Sequence, residues 1–279
     1  MKKFDPQDLK KLYVPQPSSH KGQNGKLMII GGSRLFHGAS LWALKVASRI
    51  VDMVFYAGTS ENNKLTESLK KDLYDFIAIE REKIEDYVDE ADAVLIGPGL
   101  PREEGREEHE EKTKELTERL LRKYPRKKWI IDAGSLTEID PEILKELNGN
   151  VVITPHPKEF SELFKLSAEN LKNEEIVQKM AREYNCVILL KGEGDTVCSM
   201  DECVETEGGN PGMTKGGTGD VLAGLVAALS CKNDLFLAAK TASYFNKKAG
   251  EELYEKAGPY FNASDLCDKI PVTMKKLLF

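Results

Sequence analysis

Seven short apolar runs set the main constraint on this chain: Lys26–Ile30, Met53–Ala57, 76–79, Ala93–Ile96, 129–131, 151–154 and 186–190. Each is strand length, and most are continuous in Val, Ile and Leu rather than alternating. Such strands are covered on both faces, which requires a mainly parallel sheet between helical layers. Longer amphipathic segments separate the runs, as parallel crossovers demand; one spans 39–51. The pattern changes after Lys191. Segments 196–200 and Cys203–Thr206 flank Asp201-Glu202 and read as a late β-hairpin, and helices follow at about 217–230, 234–254 and 272–278. Segment 102–128, dense in Glu, Arg and Lys, reads as a solvated helix face with Leu116, Leu120 and Leu121 toward the sheet. The expectation is a three-layer α/β/α domain over residues 1–279, with no repeat and no linker.

Composition narrows the function classes. Apolar residues make up 41% and the formal net charge is -6, so a packed core is expected and nucleic acid is not an expected partner. No apolar run approaches the roughly 18 residues of a membrane span, and Met1-Lys2-Lys3-Phe4-Asp5 lacks the apolar core of a secretion signal. Five cysteines, an odd count, form neither a CxxC pair nor a zinc spacing with the four histidines. That predicts reduced thiols and a cytoplasmic protein.

In parallel sheets, ligands bind beyond the carboxyl ends of the strands. Five runs here end in glycine or polar residues: Gly31-Gly32-Ser33, Gly97-Pro98-Gly99-Leu100, Asp132-Ala133-Gly134, Thr154-Pro155-His156-Pro157-Lys158-Glu159 and Lys191-Gly192-Glu193-Gly194-Asp195. The glycine pairs alone read as tight turns. Asp132 reads equally as a helix cap, a holder of Mg²⁺ water or a substrate contact. His156, fixed between prolines, reads as a helix cap or a ligand contact, with the second favoured. Lys191 is either a solvated strand end or a nucleotide contact. Segment 209–224 is the most specific: Gly216, Gly217, Thr218 and Gly219 form a glycine-rich turn that opens a helix, with Asp220 in its first turn. Backbone N–H groups and the helix dipole there make an anion hole. A carboxylate beside an anion hole is electrostatically out of place unless it takes a proton. Neither GxxxxGK[ST] nor GxGxxG occurs.

Together these motifs resemble the ribokinase-like superfamily and, more closely, the NAD(P)H-hydrate dehydratase family. The resemblance runs from about Ser19 to Pro271. It includes His20-Lys21-Gly22-Gln23-Asn24-Gly25, Ile30-Gly31-Gly32-Ser33 with Gly38-Ala39, the 97–100 turn, Thr154 to Phe160, Leu190-Lys191-Gly192, segment 209–224 and Ala263-Ser264-Asp265-Leu266. It implies repair of NADHX and NADPHX, the hydrates of NADH and NADPH, with ADP or ATP as co-substrate and Mg²⁺. It implies that Ala39, Gly99, His156 and Asp220 contact the hydrated nucleotide. It implies that Lys191, Gly192, Glu193, Gly194, Asp195 and Gly219 contact the adenine nucleotide. Asp220 would be the catalytic base; the resemblance names no metal ligand. Two positions depart from the family pattern: Pro101 stands where Gly-Pro-Gly-Leu-Gly ends in glycine, and Gly134 stands for the last acid of Asp-Ala-Asp. The epimerase domain sometimes fused to the family is not expected. A homo-oligomer, a tetramer included, is expected, with Trp42 and Phe36 as interface or core residues.

Two rivals share the anion hole. A ribokinase-like vitamin or sugar kinase would stop at a phosphorylated product. A silent nucleotide-binding regulator would not turn over at all, and the intact Asp220 argues against it.

Overall fold

The computed structural model describes residues 1–69, 71, 73–102, 110–166 and 174–279. Its strands are β1 (Lys2–Lys3), β2 (Lys26–Ile30), β3 (Met53–Ala57), β4 (Ile77–Ala78), β5 (Ala93–Ile96), β6 (Lys128–Ile131), β7 (Val151–Ile153), β8 (Val187–Leu190), β9 (Asp195–Cys198) and β10 (Cys203–Thr206). They form one sheet in the order β1-β10-β9-β8-β7-β6-β5-β2-β3-β4. From β8 to β4 all neighbours are parallel, while β9 pairs antiparallel with β8 and β10. The hairpin is therefore the turning point of an otherwise parallel sheet.

Each central strand feeds two cores. Leu27, Ile29, Leu95, Ile130, Val152 and Leu189 point to one face; Met28, Ile30, Val94, Ile96, Trp129, Ile131, Val151, Ile153 and Ile188 point to the other. Both sets are buried, so alternation of the backbone produces no alternation of polarity. The first face is covered by α1 (His37–Ala47), α9 (Thr218–Ser230), α10 (Leu235–Ala257) and α11 (Ala263–Leu278). On the other face lie α3 (Ile84–Glu90), α4 (Thr113–Lys123), α5 (Ala133–Glu138), α6 (Ile143–Glu146), α7 (Pro157–Phe164) and α8 (Glu174–Glu183). Helix α2 (Ser60–Leu69) follows β3. As expected, Leu116, Leu120 and Leu121 of α4 are buried; part of that charged segment, 103–109, lies outside the described residues.

Helix α9 places the anion hole. From Val221 to Ser230 every residue is buried, and Gly224 is needed for its smallness: a Cβ there would stand 2.6 Å from the Cα and carbonyl oxygen of Ala43. The α1 and α9 backbones thus touch, which fixes α9 under the sheet with its N-terminus at the strand ends.

Three expectations need correction. Cys198 and Cys203 are joined by a disulfide, because the hairpin register sets them directly opposite each other. Their spacing in sequence gave no sign of it. Cys186, Cys231 and Cys267 are free and buried. The last helix starts at Ala263 rather than near 272: Asn262 and Asp265 form a capping box, and Pro271 sits inside the helix. In the run at 76–79 the strand is confined to Ile77 and Ala78, at the sheet edge, with Ile79 N–H donating to Tyr56 O beyond it. Among the described residues no helix is long and apolar enough to cross a membrane.

Candidate active site

The hydrogen-bond ladder continues one step past the strands. Gly97 N–H donates to Ile30 O, Asp132 N–H to Ile96 O and Thr154 N–H to Ile131 O, at 3.0, 3.1 and 3.2 Å. Lys191 N–H donates to Pro155 O at 2.9 Å. The residues after β5, β6, β7 and β8 are therefore held as firmly as the strands themselves.

Turns after β2, β5 and β6 lock together as a floor. Leu100 N–H donates to Gly97 O, with Pro98 and Gly99 (φ 72°) between them, the signature of a type II turn. Gly32 N–H donates to Pro98 O at 2.8 Å. A Cβ on Gly99 would stand 2.3 Å from Phe36 O, and one on Gly134 would stand 2.4 Å from Leu100 O. Above this floor lies a cleft of about 490 Å³, lined by Leu35, Phe36, Ala39, Gly99, Leu100, Arg102, Ala133, Gly134 and Asp220. Three of the predicted substrate contacts, Ala39, Gly99 and Asp220, thus share one cavity.

Gly217 caps α9 at φ 97°, with no side chain capping the helix. The first N–H groups of a helix lack partners within it, and open space faces Gly216. Gly217 also has no room for a side chain, since a Cβ would stand 2.5 Å from the Trp42 ring. Trp42 is half-buried beneath this turn, and its Nε1–H donates to Ser264 Oγ at 3.2 Å. The Thr218 hydroxyl turns back to Met213 O and Lys215 O, at 2.7 and 2.9 Å, and so braces the turn.

Asp220 occupies the first turn of α9. Burial, together with the Asp132 and Glu159 carboxylates, raises its pKa from 3.8 to about 7 against the opposing pull of Lys191. Lys191 Nζ pairs with Asp132 Oδ1 at 2.9 Å and lies 4.0 Å from Glu159 Oε2. Burial disfavours the lysine cation, but the Asp132 and Glu159 carboxylates outweigh that cost and raise its pKa. Lys191 therefore stays charged at neutral pH.

Two further residues read as ligand contacts, His156 and Asp195, bond to the scaffold as placed. His156 caps α7: its Nδ1 accepts from Glu159 N–H at 3.1 Å while Glu159 Oε2 accepts from His156 N–H at 2.9 Å. It is not among the residues lining the cleft; Glu159 links it to Lys191 and, at 3.9 Å, to Arg102. Asp195 turns inward, accepting from Gly192 N–H and Ser243 Oγ and pairing with the buried Lys247 at 3.1 Å. Lys247 Nζ also donates to Gly192 O and Glu193 O, both at 2.7 Å. The 191–195 turn is thus tied down from below, with Gly194 packed against Glu205.

The chain matches the sequence profile of NAD(P)H-hydrate dehydratase over residues 27–272. It belongs to the NAD(P)H-hydrate dehydratase family. A bifunctional NAD(P)H-hydrate repair enzyme from Methanocaldococcus jannaschii is 35% identical over 276 residues, covering 96% of this chain and 52% of the relative. The chain thus spans about half the length of that relative. An ADP-dependent (S)-NAD(P)H-hydrate dehydratase from Nitrosopumilus maritimus is 34% identical over 282 residues, covering 96% of this chain and 95% of the relative. A ribokinase-like superfamily protein from Enterococcus faecalis aligns with a TM-score of 0.85 at 24% identity, over 99% of this chain and 96% of that one. That likeness establishes the ribokinase-like fold.

In this family member the two departures from the usual pattern meet. Leu100 precedes Pro101, and the Leu100 carbonyl fills the place of a side chain at 134. Proline restricts the residue before it to extended conformations. Pro101 O accepts from Thr113 Oγ1 at 2.5 Å. Sequence reasoning missed the parts played by Thr154, Glu159, Arg102 and Lys247. The first two lay inside a quoted motif with no role attached, and the other two sit among many similar charges.

Proposed function

We propose that the chain dehydrates NADHX and NADPHX to NADH and NADPH, with ADP as the preferred phosphoryl donor. The observation that carries this reading is Asp220, a carboxylate poised near neutrality between the uncapped α9 N-terminus and the cleft holding Ala39 and Gly99. The ionised Asp220 accepts the proton of the ring hydroxyl as that oxygen bonds to the terminal phosphorus of ADP. The bond from phosphorus to the bridging oxygen breaks and AMP leaves. The N–H groups at Gly216, Gly217 and Gly219 stabilise charge on the phosphoryl group in flight. The ring nitrogen's electron pair then expels phosphate, and transfer of a proton from the neighbouring ring carbon to water restores the double bond. The donor preference rests on the ADP-dependent relative.

Around Asp220 stand two further carboxylates, Asp132 and Glu159, against one Lys191. This acidic surround suits a nucleotide that arrives with Mg²⁺ on its phosphates, where the ion neutralises phosphate charge.

The test is one incubation of the protein with NADHX, Mg²⁺ and either ADP or ATP. Recovery of reduced-nicotinamide absorbance with release of free phosphate is expected, faster with ADP. No recovery with either nucleotide overturns the reading, and a stable phosphorylated product would favour the kinase. Asp220→Asn is expected to bind ADP and lose roughly 10²- to 10⁴-fold in turnover.

A further inference from the structure

Asp132 is a buried carboxylate whose part in the reaction the proton transfer at Asp220 leaves open. Its Oδ1 accepts two hydrogen bonds, from Thr154 Oγ1 at 2.8 Å and from Lys191 Nζ at 2.9 Å. The three residues stand one step past β6, β7 and β8, which are neighbours in the sheet. A short acid and a short hydroxyl on fixed strand ends thus immobilise the tip of a long, rotamer-rich lysine. Apart from the backbone of α9 itself, the held ammonium is the nearest atom, at 3.5 Å, to the place a Cβ would take on Gly219. It therefore lies at the same helix end that would receive the phosphoryl group.

We propose that Asp132, braced by Thr154, is a positioning residue that fixes the Lys191 ammonium at the α9 N-terminus as a preset cation facing Asp220. For the phosphoryl group this rests on the function proposed above; the place of the lysine at the α9 N-terminus stands on geometry alone. A merely structural ion pair would have the same distances, and breaking it would destabilise the protein either way. Stability therefore does not discriminate, whereas the titration of Asp220 does. The charged groups that act on Asp220 are Asp132 after β6, Glu159 on α7 and Lys191 after β8, with Arg102 on the rim of the same cleft.

The test follows the Asp220 carboxyl signal by ¹³C NMR in the ligand-free protein, alongside steady-state kinetics. Lys191→Met is expected to move the Asp220 titration to higher pH by about half a unit to one unit, and Thr154→Val, which loosens the hold without changing a charge, to move it the same way by less. Thr154→Val removes only the hydroxyl. It is expected to lower kcat by about 3- to 10-fold at nearly unchanged KM for ADP, while Thr154→Ser keeps the parent rate. An Asp220 titration that stays put in Lys191→Met or in Thr154→Val overturns the proposal, as does a Thr154→Val enzyme as fast as Thr154→Ser. Should Lys191→Met not fold, the Thr154 pair decides. Should the parent protein fail to act on NADHX, the dehydratase reading falls, and the NMR titrations still decide whether the held cation governs Asp220.

Discussion

At the scale of single residues the site works by holding a proton where water would not. Asp220 keeps its proton until about pH 7 because burial and two neighbouring carboxylates oppose ionisation. As a base it must be ionised, so kcat/KM is expected to rise with pH through about 7 and then level. Stability runs the other way. Between the ordinary carboxylate range and pH 7 the native state binds more protons than the unfolded one, so this group's contribution to stability falls as pH rises. Asp220→Asn is expected to gain about 4 kcal/mol over the parent at pH 8 and less than about 1 kcal/mol at pH 4, read by urea unfolding. Gly217 illustrates a different constraint. Alanine there must adopt φ near 97° and press a methyl into Trp42, so Gly217→Ala is expected to cost about 2–4 kcal/mol and to blunt ADP binding.

Elements turn these residues into a surface. The 191–195 turn is held not by its own sequence but by Lys247 from α10, whose ammonium caps two carbonyls and neutralises Asp195. Lys247→Met leaves a buried carboxylate unpaired. It is expected to cost about 3–5 kcal/mol in a denaturation curve, with ADP affinity weakened about tenfold as the turn loses its preset shape. How much of this was legible varied by element. Strands β2, β3 and β5 coincide with their apolar runs, since burial on both faces selects apolar residues along almost their whole length. Strand β1 was invisible because two lysines at a sheet edge carry no hydrophobic signal. Helix α11 was cut short because Pro271 reads as a break, although packing carries the helix through it. The glycine turn and Asp220 could be read because they adjoin in sequence. The Thr154–Asp132–Lys191 contact could not, because its partners lie 22 and 59 positions apart and only strand order unites them.

Over the whole molecule the active surface belongs to no single segment. Strand ends from residues 31 to 191 and a helix beginning at 218 meet on one edge of the sheet. The floor of the cleft is backbone packed on backbone, with the Leu100 carbonyl seated where residue 134 would otherwise carry a side chain. Gly134→Asp alone is expected to cost about 2 kcal/mol or more. Pro101→Gly combined with Gly134→Asp is expected to lose less than the two separate costs together, measured as a double-mutant cycle on urea midpoints. An additive result would show that the two positions ignore each other. Positive coupling would make the proline and the glycine one character in two places: a lineage that acquired either without the other would carry a weakened intermediate, so the pair should be gained, kept and lost together.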